Sequence, residues 1–254
     1  MERSCIRIPA FIAGSGTKRR YGDGVGEKTV IGLILFPDAT QLDLTAPYEV
    51  FARIPNSEIY IVSDTLDPVR TERGLQIVPN TTYDTCPTLN VLFVPGGPGQ
   101  IAAQHNKKLM KFIAEYADTP DVFITSVCTG ALLLGAAGLL QNKKATTHWS
   151  CMDILPYMGA IPVNTPVVED GKIITGAGVT NGIDLALYVA EKLGSKEVAE
   201  RIARQVEYPH ISQHANKAHT EQLSYELLAA NPYRKARLEA ARETAKQLGV
   251  SIAL

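Results

Sequence analysis

VFITSVCTGALLLGAAGLL, residues 122–140, decides the fold of this chain. VFITSV at 122–127 is the run of a strand covered on both faces. Without a linker the chain reads CTG and enters ALLLGAAGLL, a buried helix far short of the ~20 apolar residues that span a bilayer. Cys128 therefore falls where a strand turns directly into a helix, which resembles a nucleophile elbow. Amides at the start of the following helix favour negative charge, so the reading predicts a lowered thiol pKa and a thiolate. The competing reading is a buried packing cysteine.

Outward from this stretch the same rhythm repeats. VIGLILF at 30–36 and VLFVP at 91–95 are buried strands, and EIYIVS at 58–63 is another. LTAPYEVFARI at 44–54 reads as a helix with Thr45 as N-cap and Pro47 in its first turn. A further helix is predicted from about 100 to 118 after the GGPG loop at 96–99, one near 149–158, and more over 180–206. Arg73-Gly74 and Asp170-Gly171 mark hairpins. Strands alternating with helices predict one α/β domain, a flavodoxin-like or Rossmann-like parallel sheet sandwiched by helices over 29–210. Residues 211–254 read as a helical extension broken at Asn231-Pro232, with Leu238, Ala241, Ala245 and Leu248 on one face. Residues 1–28, rich in Gly, Ser and basic residues, read as a mobile tail with no signal-peptide pattern.

Composition narrows the function. Of 254 residues, 25 are Lys or Arg and 26 Asp or Glu, for a net charge of -1. A binder of nucleic acid would carry a basic excess, so nucleic acid is not the expected partner, and neither is a membrane. Four scattered cysteines with no C-x-x-C pair give neither a disulfide framework nor a zinc spacing. The expectation is a cytoplasmic protein acting on a small molecule without metal or cofactor.

Ligands in open α/β sheets sit beyond the carboxyl ends of the strands. The loop after 30–36, the GGPG loop and Cys128 converge there. Asp43 lies between Leu42 and Leu44, where a carboxylate is costly unless it faces a polar site. Placed beside Cys128, it would have a raised pKa and hold a proton for general acid chemistry; a plain capping Asp is the alternative. Gly96 and Gly97 permit close approach, and their amides are candidates to bind developing negative charge. His148 in ATTHW reads as structural or pocket-lining. His219-Thr220-Glu221 reads as coincidence in a helical run, and Cys86 and Cys151 as packing residues.

QLDLTAP at 41–47, VPGGPG at 94–99, TSVCTGALLLGAAGLL at 125–140, ATTHW at 145–149 and GAG-x-T-x-GIDLAL at 176–187 resemble the ThiJ/PfpI superfamily, class I glutamine amidotransferase-like in fold. Within it they are most similar to the isonitrile hydratase branch. The resemblance implies that Cys128 attacks the substrate, that Asp43 hydrogen-bonds to it and carries the proton, and that Thr129 orients the intermediate. It implies a cofactor-free lyase, a homodimer, and hydration of isonitriles to N-substituted formamides through a cysteine thioimidate. Ala46 and Pro98 depart from the pattern. Other activities of the superfamily, deglycase or glyoxalase-like, commonly place a histidine after the cysteine; here Thr129 stands there. A redox or ligand sensor using the same cysteine is the third reading.

Overall fold

The computed structural model describes residues 28–209 and 231–251. The expected tail over 1–28, Lys28 apart, and the His219-Thr220-Glu221 segment lie outside them.

Seven strands form one sheet. β1 (Thr29–Ile34), β2 (Ser57–Ser63), β6 (Val91–Val94), β7 (Phe123–Val127) and β11 (Ile173–Gly176) are joined by β5 (Thr81–Thr82) and β10 (Val167–Asp170) in the order β10-β11-β7-β6-β1-β2-β5. Every pairing is parallel except β10 with β11, which closes the hairpin at Asp170-Gly171. The hairpin at Arg73-Gly74 forms as β3 (Val69–Arg70) and β4 (Gln76–Ile77). A short parallel pair, β8 (Lys144–Ala145) and β9 (Ile161–Pro162), stands apart from the main sheet. The continuous apolar runs of β1, β6 and β7 are explained by cover on both faces. Ile34, Leu92, Val94 and Ile124 face one apolar cluster, and Ile31, Leu33, Val91 and Phe93 the other. Leu92 and Phe93 are fully buried, each contributing about 1.5–3 kcal/mol of hydrophobic stabilisation.

The chain runs from β1 outward to β2 on one side and returns to β6 on the other. The ends of β1 and β6 thus flank the point where strand order reverses, where a crevice forms. β7, which carries Cys128 at its end, is the next strand beyond β6.

Two helix readings differ from the sequence reading, each for a local reason. α1 (Gln41–Phe51) starts three residues earlier than predicted, with Thr40 as N-cap. Pro47 then lies inside the helix, where its missing N–H leaves the Asp43 carbonyl without its usual helical partner. The early start places Asp43 in the first turn. The predicted helix over 100–118 is two helices, α2 (Gln100–Ala103) and α3 (Lys107–Ala114), because the Asn106 side chain accepts from the amides of Lys108 and Leu109 and starts a new helix. The helices read over 180–206 are α5 (Asn181–Leu193) and α6 (Lys196–Gln205), divided at Ser195.

α4 (Gly130–Ala136) follows the elbow, and a 3-10 helix covers Trp149–Met158. A C-terminal helix, Arg234–Leu248, packs on that 3-10 helix and on α4. Of the face read from periodicity, Ala241 and Ala245 are buried while Leu238 and Leu248 are only half-buried; Arg237, Ala240 and Thr244 complete the inward face instead. No described helix is long and apolar enough to cross a membrane.

Candidate active site

The elbow forms as its residues require. Cys128 has φ +55, a left-handed conformation that costs a non-glycine residue about 1–2 kcal/mol. Its amide faces the carbonyls of Gly176 and Ala177 at 3.1 and 2.9 Å, and the Thr147 hydroxyl donates to its carbonyl at 2.6 Å. A Cβ on Gly130 would stand 2.2 Å from the carbonyl oxygen of Val94, so only glycine lets the elbow pack on the end of β6.

The GGPG loop is stitched to both neighbours. The Thr40 amide donates to Gly96 O at 3.0 Å, and the Gly99 amide donates to Asp38 O at 3.0 Å, fixing the loop to the head of α1. The Gly96 amide donates to Asp43 Oδ2 at 3.0 Å. The Gly97 amide donates to Thr129 Oγ1 at 2.9 Å. Both amides were expected to stand open to a developing negative charge. Instead they hold Asp43 and Thr129, because α1 and the elbow approach closely enough to take them.

Asp43 and Cys128 meet at this seam. Asp43 is fully buried and Cys128 is 5% exposed. Their side chains lie within hydrogen-bonding influence of each other, yet Asp43 Oδ1 has no aligned partner among the described residues. Burial pushes the Asp43 carboxyl up to about 7, against the opposing pull of the Gly96 amide and the Cys128 thiol. The charge of Glu72 adds to the rise.

The expected lowering of the Cys128 thiol is overturned. Burial, then the neighbouring Asp43 charge, hold it well above the ordinary value of 9.0. The Thr129 amide at the elbow does favour the thiolate, as the strand-to-helix turn requires, but it is outweighed. The resting sulfur is a thiol beside a carboxyl that changes protonation near neutrality. Such a pair can pass one proton between them.

His148 caps the 3-10 helix. Its Nδ1 lies 2.8 Å from Ser150 Oγ, and its ring packs beside Trp149. Its neighbour Thr147 is the residue that binds the elbow. Sequence reading passed over Thr147, although ATTH directly after a short strand was the available sign. It also passed over Arg237, whose guanidinium lies 3.8 Å from Cys151 Sγ and 3.4 Å from Gly97 O. The sign there was a cation at position 237, four and eight residues before the inward Ala241 and Ala245. A surface cavity of about 450 Å³ opens against the outer side of the same loop, between Pro98, Glu72, His105 and Tyr233; Cys128 is not among its walls. Among the described residues no cluster of metal-ligating side chains occurs.

The DJ-1/PfpI family matches residues 29–192, a span that holds all of these residues except Tyr233 and Arg237.

The chain belongs to the DJ-1/PfpI family.

Within the DJ-1/PfpI proteins it is 48% identical to an isonitrile hydratase of Pseudomonas putida over 178 residues, 70% of this chain and 78% of that protein. It is 24% identical to a glutathione-independent glyoxalase DJ-1 of Schizosaccharomyces pombe, over 66% of this chain and 93% of that one. A THiJ/PfpI family crystal structure from Pseudomonas syringae superposes with a TM-score of 0.76 at 39% identity, covering 85% of this chain and 91% of that one. The mostly parallel, helix-flanked sheet is thus the DJ-1/PfpI fold, and the described C-terminal helix continues past the family span.

Proposed function

We propose that this DJ-1/PfpI protein is a lyase that hydrates isonitriles, R–N≡C, to N-substituted formamides. The observation that carries the reading is the buried pairing of the Cys128 thiol with an Asp43 carboxyl held near 7. The 48% identity to an isonitrile hydratase supports the same substrate class.

As the sulfur attacks the terminal carbon, the Asp43 carboxylate takes the thiol proton and delivers it to that carbon. The product is a thioimidate, R–N=CH–S–Cys128, with no proton gained or lost overall. Asp43, again a carboxylate, accepts a proton from water as the oxygen adds to the same carbon, and the nitrogen receives that proton. The C–S bond then breaks, the hydroxyl proton returns to sulfur, and R–NH–CHO leaves. Thr129 keeps the elbow locked to Gly97 while the carbon is tetrahedral.

The raised thiol favours this chemistry over a redox sensor, since easy oxidation needs a low-pKa, exposed thiolate. The described cysteines Cys86, Cys128 and Cys151 are free thiols, which suits the reducing cytoplasm we propose. A homodimer, which the family resemblance implies, is part of the same proposal.

The test is incubation with one aliphatic and one aromatic isonitrile, with mass detection of the formamide and of a Cys128 adduct. Formamide formed by the parent protein and lost in Cys128→Ser is the expected result. Undiminished turnover by Cys128→Ser overturns the mechanism. Consumption of methylglyoxal with no isonitrile turnover would assign the protein to the glyoxalase side of the family.

A further inference from the structure

Arg237 lies outside the family span, on the C-terminal helix, yet only 7% of it is exposed. Buried arginines are normally paired, because an unpaired buried charge is costly. This one has no carboxylate partner among the described residues, and its Nε is buried without any hydrogen bond. Its Nη2 donates to Gly97 O, its Nη1 lies against Cys151 Sγ, and its guanidinium sits over the Tyr233 ring at 5.5 Å. One turn earlier, Arg234 binds Ser150 O and Asp153 and anchors the same helix to the 3-10 helix. The helix is thus held at its rim while Arg237 reaches inward to the loop.

Gly97 O also receives Gln100 N–H at 3.2 Å and the Thr129 hydroxyl at 3.3 Å, so the guanidinium completes a ring of donors around one carbonyl. That carbonyl belongs to the turn whose amides hold Asp43 and Thr129. We propose that Arg237 is a positioning residue: it clamps the Gly96–Gly97 turn from the C-terminal helix and thereby sets the hydrogen bond that keeps Asp43 beside Cys128. The C-terminal helix is then part of the active site.

The inference rests on the reading of Asp43 and Cys128 as the proton-exchanging pair, and its test separates the two. The Gly96 amide favours the Asp43 carboxylate. Loosening the turn therefore raises the pH at which Asp43 ionises. Carboxyl 13C NMR across pH on protein labelled at aspartate, with the Asp43 resonance assigned by its loss in Asp43→Asn, reports that ionisation without any isonitrile. In Arg237→Met the midpoint is expected to rise by about 0.5–1 pH unit, a 3–10-fold change in the ionisation constant. Isonitrile turnover is expected to fall in kcat with KM little changed. Tyr233→Leu, at a residue 42% exposed, removes the aromatic seat of the guanidinium and gives a smaller shift in the same direction. It decides the matter if Arg237→Met fails to fold. Ala245→Gly, on the same helix but away from the loop, is expected to lower Tm and leave the midpoint in place.

A folded Arg237→Met, or Tyr233→Leu where only that folds, with the parent midpoint overturns the proposal. So does an equal shift in Ala245→Gly, since that would make helix docking alone the cause. A parent Asp43 midpoint that survives Cys128→Ala would instead refute the Asp43–Cys128 reading, because the thiol bond that favours the carboxylate would then be absent.

Discussion

The Gly96 amide donates to the carboxylate of Asp43, 53 residues away in sequence, and this bond sets the acid of α1 against the sulfur at the end of β7. It favours a charged Asp43 through the backbone, and it is outweighed by burial. The consequences are measurable.

Asp43→Asn keeps the shape of the side chain and removes its proton chemistry. Isonitrile turnover is expected to fall by about 10²–10⁴-fold, the range for loss of a general acid or base. Formamide production measured by mass checks it, and a loss below tenfold would remove Asp43 from the reaction.

The pH dependence of turnover follows from the same group. The carboxylate must take the thiol proton, so kcat/KM is expected to rise tenfold per pH unit up to about 7 and then level off. The thiol, held above its ordinary value, places any further ionisation on the alkaline side. A profile flat from pH 5 to 8 would contradict this.

Stability carries the opposite sign to that of a salt-bridged carboxylate. Asp43 ionises at 3.8 in the unfolded chain and near 7 in the fold. The native state therefore binds the extra proton between these values, and stability falls as pH rises through that window. The full shift corresponds to a loss on the order of 4 kcal/mol between pH 4 and 8. Urea unfolding at pH 4 and pH 8 measures it, and Asp43→Asn is expected to flatten the difference.

Gly96→Ala tests the seam directly. A Cβ there would stand 2.5 Å from Thr129 N, 2.7 Å from Thr129 Oγ1 and 3.0 Å from Asp43 Oδ2. The loop must shift off the elbow, at about 1–3 kcal/mol of stability by the usual cost of overpacking. Turnover is expected to drop more than the stability loss accounts for, because Asp43 moves with the loop. An active, fully stable Gly96→Ala protein would show that the seam tolerates slack.

Thr129→Val leaves the buried Gly97 amide without its acceptor. The cost is about 1–3 kcal/mol for an unsatisfied buried donor. Thr129→Ser restores the hydroxyl and is expected to recover most of it; thermal melts of the two variants decide the point.

Local pattern carried far into this protein. The runs at 30–36, 91–95 and 122–127 declared buried parallel strands, because a strand covered on both faces cannot alternate. Cys128-Thr129-Gly130 declared the elbow, because the strand ends where the helix begins. Helix starts were less legible: α1 begins at Gln41 with no side-chain cap at Thr40, and Asn106 divides a helix because its short side chain takes two amides and so competes with helix propensity.

The amino-acid order by itself determined the alternating sheet, the elbow and the identity of the sulfur and the acid. Only the tertiary structure decided their protonation. The field at Cys128 is a sum over neighbours far apart in the chain, and desolvation there exceeded the helix-terminus effect that local reading could see. The same holds for Arg237, 140 residues from Gly97 in sequence: a helical stripe names an inward face, but only packing says which loop that face meets.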